Sequence, residues 1–444
     1  MPIVVEIKPF KAVSYNYKRK SCNPHKVVCP PYDVINSSQA RAFRRSSSFN
    51  IIHLTKPRDE SGKTSYYQAR RHFHDWLKKG ILIKDREPAL YFYEQEYSIN
   101  KRKFKRAGFI ACLNLKSSPS IYGHEHTHIG PKEDRFKLLE KVRANLEPIF
   151  MLFPDKEDYF EKLFKSYAFR NKPLVSFQDS QGVAHRLWKI NSSGIINKVA
   201  SKMRKNVLFI ADGHHRYEVS LNFRDFELKK QLRRPNNKLG SNYIMAYFCP
   251  SESKGLSIMP IHRLIKKVRK FPKEKIRKFF QFSEINKKKL FSLLQARHVN
   301  KREFGLYKDR KFYILTLRSR KFLSRIDKHY RFLDVSMLNN LILKQSLAID
   351  AKRSNRIEFS ADIDELIMQA DREPGSLVFF LKPVKISDII YLAKAGRKMP
   401  PKTTYFYPKV PSGLVIYKFN EDIENNNLPK RTENREQRTE DGSV

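Results

Sequence analysis

Residues 206–218 read Asn206-Val-Leu-Phe-Ile-Ala-Asp212-Gly213-His214-His215-Arg216-Tyr217-Glu218. The apolar run 206–210 has the length of a buried strand. Beyond the Asp212-Gly213 turn, Tyr217, Leu221 and Leu228 recur at helical spacing, which predicts a helix to about Leu232. A strand, a glycine turn and a helix make an anion-binding device. Gly213 permits a tight turn and close backbone approach, while the free N–H groups and dipole at the helix start favour negative charge. His214, His215 and Arg216 can add side-chain donors to phosphate oxygens, and Asp212 can cap the helix or hold a divalent cation. A plain capped helix with two ordinary histidines is the alternative. The packing of Asp, two His and Arg into one turn favours phosphate.

Working outward, Tyr66, Ala69, Phe73, Trp76 and Leu77 predict an amphipathic helix over 66–79 ending on Gly80. Ala89–Tyr97 and Gly108–Leu113 are rich in aromatic and branched residues and predict a hairpin whose connection is the basic stretch 100–106. A second helix opens at Pro131–Glu133, with Leu138, Leu139, Val142 and Leu146 as its stripe. Asn242–Phe248 and Gly413–Phe419 are further strands. The fold class expected is α+β, a mixed α/β chain. Its units are 1–262, bearing the motifs; 263–345, basic and poor in motifs; 346–419, packing on the core; and a polar, disordered tail at 420–444.

Four further clusters carry chemistry. Tyr122-Gly-His124-Glu125-His126-Thr127-His128 holds three of the 13 histidines. If extended, His124, His126 and His128 share one face and Glu125 and Thr127 the other. Glu125 suits a general base or a Mg²⁺ ligand, with His124 beside it. The spacing is not His-Glu-x-x-His, so a zincin is excluded. Val28-Cys-Pro-Pro-Tyr-Asp33 stiffens the backbone ahead of a carboxylate, Asp33, although a structural turn would use the same residues. Asn50-Ile-Ile-His53-Leu54 reads as a strand with a satisfied core histidine. Ala395–Lys409 has the content of an anion-binding or lid loop, with Lys402 and Lys409 as phosphate contacts, but it lacks Walker spacing.

Composition narrows the class. A chain of 444 residues, 40% hydrophobic, can bury more than one core. Its apolar runs fall short of a membrane span, no export segment is visible, and the four scattered cysteines suggest neither a disulfide framework nor a zinc knot. A cytoplasmic protein without a membrane partner is expected. The net charge of +44 would attract polyanions, yet it is dispersed along the chain, which favours solvated faces over a dedicated nucleic-acid groove.

Cys29-Pro-Pro-Tyr-Asp-Val-Ile35, His124-Glu-x-Thr127, Asp134-Arg135 with Leu138-Leu139, Pro148-Ile-Phe, 211–218, and Met399-Pro through Lys409 occur together in the order that resembles the domain-of-unknown-function 1015 family. The resemblance spans roughly residues 5–418. It departs at Pro401, where the family has Gln, and at Thr403, where it has Ser. The Asp-Gly-His-His-Arg turn is also similar to the phosphate-binding motif of the ParB and sulfiredoxin superfamily, which includes free-serine kinases and CTP-binding partition proteins. That similarity implies a ParB/sulfiredoxin-like nucleotide-binding core in which Gly213, His214, His215 and Arg216 touch phosphates. The function expected is transfer from ATP or ADP, with Mg²⁺, to a small hydroxylated metabolite such as free serine. The alternatives are a nucleotide-switched DNA-binding protein and a metal-dependent hydrolase using His124, His126, His128 and Asp212.

Overall fold

The computed structural model describes residues 4–127, 129–231, 240–295, 302–351 and 354–419. The expected tail at 420–444 and His128 lie outside them. Nine strands form a first, mixed sheet: Ile7–Lys8 (β1), Leu90–Ile99 (β2), Arg102–Asn114 (β3), Ile121–Tyr122 (β4), Ile149–Phe153 (β5), Val175–Gln178 (β6), Ala184–Ile190 (β7), Leu208–Asp212 (β8) and Tyr243–Pro250 (β9). Across the sheet the order is β4-β8-β5-β9-β3-β2-β7-β6, and β1 adds to β3. β4 lies parallel to β8 and β5 parallel to β9; the other pairs are antiparallel.

Both faces of this sheet are covered, which is why central strands such as β5 and β9 are buried along their length rather than alternating. Along β8, Phe209 and Ala211 join one core while Leu208 and Ile210 join another, as the two-residue period of a strand requires. The first core packs under Tyr66–Lys78 (α1), Ile129–Val142 (α2) and His214–Gln231 (α3); the second lies beneath helices Tyr159–Arg170 and Ser193–Arg204. α1 forms as the sequence predicts. Ser65 accepts from the Gln68 N–H at 3.4 Å, Ala69, Phe73 and Trp76 are buried, and Gly80 takes the left-handed cap at φ 64°.

Three local expectations change. The 89–113 hairpin turns on Asn100 and Lys101, both with positive φ, so the basic run continues as strand β3 with Lys103 and Lys105 exposed and Arg106 buried. Residues 52–55 form a short helix, not a strand, because the Asn50 side chain caps it through the Ile52 N–H and donates to Lys26 O. The extended histidine face is not made either: β4 stops at Tyr122, and His124 is buried while His126 is exposed.

Six strands build a second sheet: His262–Ile265 (β10), Phe280–Ile285 (β11), Glu303–Lys308 (β12), Lys311–Leu317 (β13), Ile357–Ser360 (β14) and Leu377–Phe380 (β15), in the order β11-β13-β12-β15-β10-β14. A division between 345 and 346 would cut through this sheet, since β14 and β15 pair with β10 and β12. The pairing is set by apolar strands far apart in sequence, not by the local charge density. After the helix Ile386–Lys394 the chain returns to the first sheet. Tyr405–Tyr407 pairs with Ser257–Met259, Ser412 bridges to Cys29, and Tyr417–Lys418 pairs with Ala144–Asn145. No helix among the described residues is long and apolar enough to cross a membrane.

Candidate active site

The site is assembled where β8 runs into α3. The β8–β5 register shifts between Ile210 and Asp212, and Gly213 follows at φ 89°. A Cβ on Gly213 would lie 3.0 Å from Ile149 Cγ2 and 3.1 Å from the Arg216 guanidinium carbon, so both conformation and space require glycine. The Tyr217 N–H closes the first helical turn on Gly213 O at 2.9 Å. The N–H groups of 214–216 are those a helix leaves without an internal partner.

Asp212 clasps two cations. Lys409 Nζ bonds one carboxylate oxygen, and Arg216 donates to the other at 2.8 Å while also donating to Pro148 O at 2.6 Å. Burial alone would raise the Asp212 pKa, but Lys409 and Arg216 outweigh it and hold the acid at about 2. Burial likewise lowers Lys409, and Asp212 and Asp33 raise it further than burial lowers it. Arg216 is pulled down by burial and raised more strongly by Glu147, Asp212 and Asp33. Buried Glu147 accepts from the Tyr32 N–H at 3.0 Å and from Ser412 Oγ at 2.7 Å. Arg135 stacks 4.1 Å from the Tyr32 ring centroid and donates to Thr55 O at 2.7 Å. Together these contacts fix the Pro-Pro-Tyr-Asp segment at the rim, where Asp33 is exposed.

A second wall comes from residues 123–127. The His124 N–H donates to His214 Nε2 at 3.2 Å, which places the His214 proton on Nδ1. That nitrogen stands 3.4 Å from Glu125 Oε2, an ion-pair distance without hydrogen-bond geometry. Thr404 donates to Glu125 Oε1 at 3.2 Å and lies 3.2 Å from His124 Nε2. Burial pushes both imidazoles down to about 3, with Lys398 adding to it and Asp212 at His214 and Glu125 at His124 opposing it, so both are neutral at pH 7. Thr127 donates to Glu218 at 2.6 Å, and Lys132 bridges to the same carboxylate at 3.2 Å. The third wall is 398–409. Lys398 Nζ donates to Gly123 O at 3.0 Å, and the Met399 N–H donates to His124 O at 2.7 Å.

The residues gathered here come from six separated stretches, and the sequence profile of the family described as "Protein of unknown function (DUF1015)" matches residues 7–336, more than half of the chain. The chain belongs to the DUF1015 family. No curated protein matches it. Solved structures similar to this DUF1015 chain include a conserved hypothetical protein from Pyrococcus furiosus, 12% identical over 69% of this chain and 95% of that one, TM-score 0.34. A free serine kinase in complex with AMP is 14% identical over 69% and 92%, TM-score 0.33. SbnI from Staphylococcus aureus, with a C-terminal truncation, is 11% identical over 69% and 87%, TM-score 0.34. These likenesses are too distant to carry a role for any residue.

Within the DUF1015 chain, the 122–127 and 211–218 motifs meet directly through the His124–His214 bond. Asp33 reaches the same place, since its charge is felt by Lys409, Arg216 and Tyr405. His215 is half-buried on the first turn of α3. Lys402 is placed differently: it is exposed, and its carbonyl is held by buried Arg263 at 3.0 Å. Lys409 is the lysine that enters the site. The metal-ligand expectation for Asp212 and Glu125 does not fit the donor set. Both Asp212 oxygens are taken by cations, Glu125 faces Thr404 and His214, and among the described residues no group of three or more His, Cys, Asp or Glu is placed to hold a metal. Sequence reasoning missed Glu147, Thr404 and Glu218. Glu147 stands just before an apolar strand with no motif of its own, although its place next to Pro148-Ile-Phe was a signal.

Proposed function

We propose that this protein is a nucleotide-dependent phosphotransferase that uses ATP or ADP to phosphorylate a small hydroxylated metabolite, with free serine among the acceptors to be tried. The observation that carries the reading is the cation pair, Lys409 and Arg216, clasped by Asp212 at the N-terminus of α3. Phosphoryl transfer asks a protein for positioning and for positive charge around the migrating group more than for covalent chemistry.

In this reading, nucleotide phosphates lie against the N–H groups of 214–216, flanked by Arg216 and Lys409. Asp212 keeps those two cations together in a low-dielectric site where they would otherwise repel. Asp33 takes the proton of the acceptor hydroxyl. That oxygen forms its bond to the terminal phosphorus as the bond from phosphorus to the departing nucleotide oxygen breaks, and the cation pair neutralises the charge left on the nucleotide. His124 is fully buried and neutral, so its part is to position Glu125, Thr404 and His214. Glu125, tied to the same group, fixes the wall formed with Thr404 and His214. No step is assigned to a protein-bound metal.

The test incubates pure protein with phosphorus-labelled ATP or ADP and Mg²⁺, each acceptor drawn from amino acids and polyols. The expected result is a labelled phosphomonoester with wild type and nucleotide binding without transfer in Asp33→Asn. Absence of product with every acceptor, or full transfer by Asp33→Asn, would overturn the assignment.

A further inference from the structure

One local concentration of positive charge lies in the second-sheet unit, among residues that are not part of the site. In the second-sheet unit, segments 267–275 and 346–348, with Arg356, line a cleft of about 1150 Å³. Six basic residues line it, Lys267, Arg269, Lys270, Lys273, Lys275 and Arg356, against one acid, Glu274. That acid does not neutralise them: its side chain is 78% exposed and pairs with Arg277 at 2.9 Å. The neighbouring acids Glu358 and Glu373 are spent on Lys266, at 2.6 and 3.2 Å.

The cleft is held in shape before any ligand arrives. Arg356 donates to the carbonyls of Lys266 and Lys267 at 3.1 and 2.5 Å, and Lys267 is kept at φ 57°, a conformation that costs a non-glycine residue energy. Its volume of about 1150 Å³ exceeds the roughly 300–1,000 Å³ of a small-molecule pocket. Phe271 is half-buried in the lining, where its ring packs against Phe282 and under the Lys308 ammonium, 5.3 Å from the ring centroid. A groove lined by lysine and arginine with little acid to neutralise them suits the phosphates of a single-stranded nucleic acid, whose flexible backbone can follow it.

We infer that the cleft around Lys270 and Phe271 binds single-stranded nucleic acid, independently of the phosphotransfer site. The probe is a fluorescein-labelled polyuridylate of about 20 nucleotides, longer than the roughly 4–16 nucleotides a single-strand groove covers. Anisotropy is read over a KCl series with the full chain. Arg269→Glu/Lys270→Glu/Lys273→Glu alters exposed side chains only. It is expected to weaken binding at least tenfold at about 100 mM KCl and to reduce the slope of log K against log salt by about 2, at roughly 0.7 per phosphate contact. Lys101→Glu/Arg102→Glu/Lys103→Glu, on the exposed tip of the β2–β3 hairpin, makes the same change in net charge and is expected to leave the slope nearly unchanged. Equal losses in the two variants would show attraction to total charge and overturn the proposal. So would no binding by wild type, or phosphatidylserine vesicles binding through the cleft residues while polyuridylate does not.

Discussion

Replacing Asp212 by Asn keeps the shape of the clasp and removes its charge, leaving Lys409 and Arg216 side by side in a buried site. The depression of the acid from 3.8 to about 2 corresponds to about 2 kcal/mol of stabilisation. Breaking a buried pair costs about 3–5 kcal/mol because the orphaned charge stays buried. Arg216 keeps Pro148 O and the charge of Glu147, and Lys409 keeps the charge of Asp33, so we expect the lower end, about 3 kcal/mol. The assay is urea unfolding followed by tryptophan fluorescence. The chain has two tryptophans, Trp76 on α1 and Trp188 on β7, so the signal reports on the first-sheet unit alone. With a slope of about 3 kcal/mol per molar, the midpoint should fall by about 1 M. Adding Lys409→Met should restore part of the loss, because it removes one of the two unpaired cations. The sign with pH follows from the depressed pKa. The Asp212 contribution is complete above about pH 4 and is lost as pH falls through about 2, so wild type and variant should converge over that interval. An unchanged midpoint, or a gap as large at pH 2 as at pH 7, would refute the reasoning.

Gly213→Ala forces a Cβ into a left-handed turn against Ile149 and Arg216, and should cost at least about 1 kcal/mol and weaken ADP binding in calorimetry. Asp33→Asn changes an exposed side chain, so its melting temperature should match wild type while transfer falls about 10²–10⁴-fold in the labelled-nucleotide assay. His124 and His214 have folded pKa values of about 3 against 6.5 unfolded. Their stabilisation is complete above about pH 6.5 and drains away as pH falls toward 3; a pH series of urea midpoints should show that fall, and His124→Asn should make it shallower. Arg263→Met removes the guanidinium that holds Lys402 O, and proteolysis or hydrogen exchange should show 398–409 loosened with the second sheet intact.

The elements that form from local pattern could be read from the sequence. α1 has a cap, an apolar stripe and a terminal glycine, and the 206–218 strand, turn and helix have a length, a glycine and a helical period of their own. The second sheet could not be read in this way. Its β10 lies between β14 and β15, strands roughly 100 residues on, and nothing near residue 263 announces them. The same distinction runs through the site. Asp212, Gly213 and Arg216 are one motif and were recognisable as such. Lys409 rather than Lys402 enters because the chain re-pairs at 405–407 with 257–259, a long-range event that sets which lysine faces Asp212. The histidines were visible as a cluster, but burial divides them: His124 is enclosed and His126 is in solvent.

The central claim is that 121–127, 211–218 and 398–409 are three walls of one nucleotide site. Hydrogen–deuterium exchange of the full chain with and without saturating ADP tests it directly. We predict that peptides covering all three segments gain protection together, and that Gly213→Ala shifts all three gains to the same higher ADP concentration. Protection confined to one segment, or appearing only elsewhere in the chain, would contradict it.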